Sequence, residues 1–183
     1  ILGGEHSISL GSLRAFKKYY KKPFGIVHFD AHADLRPIYE GEIYSHACVM
    51  FHVVQELNLP LIQIGTREVS EEENAFRKNC GIISYNSRLC HNNMPNKIIP
   101  DNFPKNIYIS FDVDCLDSSL MPATGTPSPG GLFYHQVENF LLTCCATLST
   151  LVIFLSATAT ALFVSSTALS IPPVLIPNLF AKP

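Results

Sequence analysis

Residues 1 to about 138 of this 183-residue chain predict an α/β fold with a parallel sheet. Two observations point there. Short apolar runs without polar alternation take turns with amphipathic stretches, as strands buried between helix layers do. Two of those runs also end in acidic clusters, "HFDAHADLR" and "SFDVDCLD", and in open α/β sheets ligands bind at the carboxyl ends of strands.

Taken in order, "GIVHFD" (25–30), "LIQIG" (61–65), "GIISY" (81–85) and "NIYISFD" (106–112) read as strands. Helical spacing marks Ser9 to Tyr20, His46 to Asn58 and Ser70 to Asn79. The last opens with Ser70 and Glu73, the pattern of a capping box. The stretch from Asn86 to Pro104, with three prolines and several asparagines, reads as loop. No repeat is visible.

Composition narrows the function classes. With 47% hydrophobic and 15% charged residues the chain can fill a core, and a net charge of -2 offers no basic patch for nucleic acid. The six cysteines form no C-x-x-C pair or disulfide-like pattern and no signal peptide opens the sequence, which suits a reducing cytoplasm. The start at Ile1, close to a Gly-Gly turn, reads as that of a fragment or trimmed product.

After Glu138 the composition changes. Residues 139 to 181 carry no charged side chain, and Lys182 is the only one before the end. This Ser/Thr-rich tail shows neither helical nor strand periodicity, and 140–171 exceeds the ~20 residues needed to cross a bilayer. A segment foreign to the domain, a membrane anchor, or two buried core elements all remain open. The expectation is that 139–181 do not complete the sheet, so that the chain divides into 1–138 and 139–183.

The chemistry sits in the two clusters. Asp30, His32 and Asp34 end one strand; Asp112, Asp114 and Asp117 end another. Carboxylates brought together repel and raise one another's pKa unless a cation neutralises them. Carboxylate and imidazole ligands without a thiolate suit Mn²⁺ or a similar ion, and their number suits two ions. In "GGEHS" the turn places His6 at the mouth of the sheet, where the acidic clusters make it a ligand. His28, inside its strand, reads as a core histidine or one that supports a ligand. A calcium loop at Asp112 fails, because Asp117 stands where the turn glycine should be and Ala123 where the bidentate glutamate should be. A strand followed by D-x-D also resembles the nucleophile motif of haloacid-dehalogenase-like phosphatases, a weak rival in which Cys115-Leu116 replaces the usual Gly-Thr and "DAHAD" has no role.

With these motifs in view the chain resembles the ureohydrolase family, agmatinases above all. "GGEHS", "HFDAHADLR", "YEGEIYSHACVM" and "FDVDCLD" with "PATGTPSPGG" follow the family's order over residues 1 to about 135. The resemblance implies a three-layer α/β/α domain around a mainly parallel sheet, incomplete in this chain. It implies one Mn²⁺ held by His6, Asp30, Asp34 and Asp112, and a second held by Asp30, His32, Asp112 and Asp114. Asp30 and Asp112 would then bridge, and His46 would transfer the proton to the departing amine. The implied reaction hydrolyses agmatine or another small guanidino compound to an amine plus urea. That places the parent protein in polyamine biosynthesis, with putrescine as product, and leaves a homo-oligomer open.

Two departures stand out. Ser118 occupies the place of a usual proline. The late acidic motif that binds the guanidinium has no counterpart beyond Gly131 except Glu138. The family's first third also has no counterpart, so the chain itself is expected to be poorly soluble and inactive. A non-catalytic metal-binding remnant is the alternative.

Overall fold

The computed structural model describes residues 4–92, 97–147, 150–155 and 162–165. Six strands form one sheet in the order β3-β2-β1-β4-β5-β6. They are β1 (Gly25–Phe29), β2 (Leu61–Ile64), β3 (Ile83–Tyr85), β4 (Asn106–Phe111), β5 (Thr150–Leu155) and β6 (Leu162–Ser165). Neighbours pair in parallel from β3 through β5, and β6 runs antiparallel to β5. The chain steps outward from β1 to β3, then returns to lay β4 on the other side of β1. The order therefore reverses between β1 and β4, where the loops leaving both strands open a crevice.

The continuous apolar runs are explained by cover on both faces. Val27, Phe29, Ile62, Ile64, Ile107, Ile109 and Phe111 enter one core, closed by Cys90, Val137 and Phe140. Ile26, Leu61 and Tyr108 enter the other, with Leu10, Leu13, Val49, Met50 and Val53. These helical residues lie on α1 (Ile8–Tyr19), α2 (Val49–Gln55), α4 (Ser87–Asn92) and α5 (Tyr134–Thr147). Alternate residues of β1, β2 and β4 thus serve opposite layers, and the architecture is three-layered α/β/α.

α3 (Glu71–Asn79) begins as its sequence predicts. Ser70 accepts from the Glu73 N–H, and the Glu73 carboxylate accepts from the Ser70 N–H. The predicted second helix is shorter than its pattern: a 3₁₀ turn, His46–Cys48, precedes α2. Two findings differ outright from expectation. α4 lies inside the stretch read as loop, because the Asn86 side chain accepts from the Leu89 N–H at 2.8 Å and Cys90 is buried. β5 and β6 lie inside the segment expected to stay out of the sheet. β5 pairs in parallel with β4 along its whole length, Asn106 facing Thr150 and Phe111 facing Leu155. The remainder of 139–181 beyond α5, β5 and β6 lies outside the described residues.

Candidate metal centre

Asp30 is the first residue after β1 and Asp112 the first after β4, so the strand pairing of Phe29 with Phe111 sets the two side by side. The ligand spacing in "DAHAD" does not come from a strand pleat, since β1 ends at Phe29. It comes from a loop bent at Asp34, whose φ is 52°. Aspartate tolerates that left-handed conformation better than most residues. The bend turns the Asp34 carbonyl onto the first N–H groups of α2, accepting from Met50 at 2.9 Å and Phe51 at 3.1 Å.

Two groups of potential ligands result, with Asp30 in both. In the first, His6 Nδ1 lies 2.8 Å from Asp34 Oδ2, 3.1 Å from Asp30 Oδ2 and 3.7 Å from Asp112 Oδ2. His28 joins this group, its Nε2 2.9 Å from Asp30 Oδ2. In the second, His32 Nδ1 lies 3.3 Å from Asp30 Oδ1 and 3.1 Å from Asp114 Oδ2. All six residues expected as ligands are thus brought to one crevice. His28 stands closer to the centre than its place within the strand suggested.

The electrostatics are those of a site built for cations. His6, Asp30, Asp34 and Asp114 are buried. Burial, then repulsion from Asp30, pushes Asp34 and Asp112 up to about 6. Burial opposes ionisation of Asp30 too, but His28, His32 and His6 outweigh it and hold its pKa well below the usual range. His32, beside Asp114 and Asp30, is drawn up to about 11. His6 Nδ1 is the informative atom: it is buried within ion-pair reach of three carboxylates at once, without well-aligned hydrogen-bond geometry to any of them. An imidazole nitrogen converging with several carboxylate oxygens on one point fits a shared cation. The clustered donor atoms are nitrogen and oxygen alone, a set suited to a hard or borderline cation, and Cys115 directs its thiol to the Ile64 carbonyl instead.

Supporting residues hold this arrangement. His6 Nε2 meets Ser110 Oγ at 2.9 Å, and Thr126 donates to Asp114 Oδ2 at 3.0 Å. Arg67 ties the second ligand loop by donating to the carbonyls of Asp114 and Ser128, both at 2.7 Å. Asp117 is no ligand. Its hydrogen bonds from Ser119, and then from the Gly130 and Gly131 N–H groups, pull its pKa down to about 2 and close the loop. Gly131 is required there, since a Cβ would stand 2.4 Å from the Leu116 carbonyl carbon. Sequence reading missed Arg67, Thr126, Gln63 and Arg77. Only Gln63 left a signal, as a lone amide in an apolar strand.

His46 opens the 3₁₀ turn and remains half-exposed, outside both ligand groups. Its Nδ1 lies 3.3 Å from Glu5 Oε1, so it neighbours the His6 segment. Glu138 is exposed on α5.

Comparison with known proteins agrees with this architecture. The arginase-family model matches residues 1–154. The chain belongs to the arginase family. It is 38% identical over 141 residues to N(1)-aminopropylagmatine ureohydrolase of Thermus thermophilus, covering 76% of this chain and 47% of that protein. It is 35% identical over 144 residues to the mitochondrial arginase 1 of Arabidopsis thaliana, covering 77% and 42%. Among solved structures, agmatine ureohydrolase of Thermoplasma volcanium superposes with a TM-score of 0.71 at 33% identity, over 86% of this chain and 53% of the other. The chain spans about half the length of the curated relatives it matches. The family match also runs through most of β5, across the point where the composition changes.

Proposed function

We propose that this centre holds two Mn²⁺ ions and serves the hydrolysis of a small guanidino compound, agmatine or a near analogue, to an amine and urea. The observation that carries the reading is the placement of Asp30 between two ligand groups at the point where the strand order reverses. His6, Asp34 and Asp112 would complete the first site with Asp30, and His32, Asp114 and Asp112 the second. Bound there, the ions supply a water acidified enough to act as nucleophile near neutral pH. The chain's own part is to hold the geometry and to move protons. His46 at the rim is the group to protonate the departing amine, a role an imidazole fills near neutrality. The solved relative named an agmatine ureohydrolase supports the substrate class.

The dehalogenase-type alternative would make Asp112 a covalent nucleophile and leave His6, His32 and Asp34 unused. Membership of the arginase family speaks against it. Among the described residues no helix is long and apolar enough to cross a membrane, and part of the stretch read as a possible anchor, 140–171, lies outside them. Metal binding without turnover is the second reading, favoured by one observation: the only acidic residue after Gly131 is exposed Glu138. Urea release from agmatine, guanidinobutyrate and N(1)-aminopropylagmatine, measured with Mn²⁺ content, decides between them. Urea from any of these supports the proposal. Two bound ions with no urea would establish the second reading, and no metal would refute both.

A further inference from the structure

Gln63 sits in the middle of β2 and is wholly buried. An amide in that position is costly unless each of its groups is matched. Arg77 of α3 donates to Gln63 Oε1 from Nε at 3.0 Å and from Nη2 at 2.8 Å. The Gln63 amide nitrogen donates to the Ala33 carbonyl at 2.7 Å and faces His28 Nδ1 at 3.0 Å. A guanidinium only donates and a carbonyl only accepts, so the amide stands one way round. Its N–H then meets His28 Nδ1, which must offer a lone pair. The ring proton is left on Nε2, 2.9 Å from Asp30 Oδ2.

We infer that Arg77, Gln63 and His28 form a one-way chain of donors that sets the Nε2–H tautomer of His28 and so orients the carboxylate shared by the two ligand groups. With Oδ2 engaged by His28 and directed to His6, Oδ1 is turned to His32, accepting from its backbone N–H at 2.6 Å. One oxygen faces each group, and the carboxylate has no freedom to swing away from either. The three are positioning residues, acting through Asp30. The consequence for metal rests on the proposed function, whereas the tautomer belongs to the metal-free chain.

The test uses the full chain with ¹⁵N-labelled histidine, stripped of metal, in long-range ¹H–¹⁵N correlation spectra, with His28→Asn giving the assignment. His28 is expected to show a bare Nδ1 and a protonated Nε2. Gln63→Glu keeps a partner for Arg77 but turns an acceptor toward Nδ1. It should place a proton on Nδ1 and weaken Mn²⁺ binding, titrated with the metal alone, by roughly 10- to 100-fold. A protonated Nδ1 in the unsubstituted chain overturns the inference, whether or not the variant folds. So does a folded Gln63→Glu chain whose Nδ1 stays bare, or one whose Nδ1 is protonated while Mn²⁺ affinity holds within about twofold. The predicted tautomer in a chain that binds no Mn²⁺ upholds the donor chain and refutes the metal-centre reading instead, which separates the two failures.

Discussion

The two ligand groups share Asp30 but are built differently. The group of His6 and Asp34 is closed: His6 is buried, with its far nitrogen on Ser110, and Asp34 is fixed by a left-handed backbone bend. The group of His32 and Asp114 is open, with the His32 side chain 30% exposed and Asp114 steadied by Thr126 and Arg67. A cation in the closed group would give up its water to fixed protein atoms, and one in the open group would keep contact with solvent. If the proposed function holds, the closed group is the rigid anchor and the open group the position open to exchange.

Replacing the shared residue should have the largest effect. Asp30→Ala removes a ligand from both groups, and Mn²⁺ content is expected to fall from two ions to fewer than one per folded chain. Metal analysis alongside circular dichroism checks this, and unchanged two-ion content would end the idea of a shared centre. His46→Ala should act on turnover alone, lowering urea release by ~10²-fold or more with metal content unchanged. Loss of an ion together with activity would make His46 a ligand.

The closed and open groups can then be set against each other. His6→Asn and His32→Asn should each cost one ion, and in the unsubstituted chain a chelator should strip the ion of the open group first. A single-phase loss of both ions would erase the distinction between the groups.

A pH titration sharpens the comparison further. Asp34 and Asp112, raised to about 6 in the metal-free chain, hold protons below that pH and lose them above it. Metal needs the ionised form, so Mn²⁺ affinity should climb as pH rises through about 6, with protons released on binding. His32, raised to about 11, must also give up its proton, which extends the climb to higher pH. Calorimetry in buffers of different ionisation enthalpy measures that release, and a flat affinity would refute the assignment.

The smallest effect is expected away from both groups. Asp117 has its pKa depressed to about 2, so its stabilising contribution is present above the ordinary aspartate value and is lost as pH falls through about 2. Asp117→Asn should cost about 1 kcal/mol or less at neutral pH, because the carboxylate is solvent-screened. Thermal melts at neutral and acid pH should show the difference shrinking as the solution is acidified.

Much of this was readable in advance, and the misses share a cause. β1, β2 and β4 announced themselves as apolar runs, and the Ser70–Glu73 capping box was visible three residues apart. α4 was hidden because its start is an asparagine cap in a stretch whose asparagines and prolines spell loop. β5 was hidden because an uncharged strand among Ser and Thr carries no local mark of its neighbours, and it acquires meaning only beside β4.

The sequence by itself determined the ligand types, their grouping behind strands and the family motifs that order them, because each is local in the chain. The tertiary structure decided that His28 packs against Asp30, that Asp117 closes a loop through the Gly130 and Gly131 N–H groups, and that Arg77 reaches the centre through Gln63 and His28. Those outcomes depend on partners far apart in sequence, such as His6 and Ser110 or Arg67 and Ser128. Hydrogen bonds and charges act over a few ångströms of space, and spacing along a chain does not record which distant atoms folding brings within that reach.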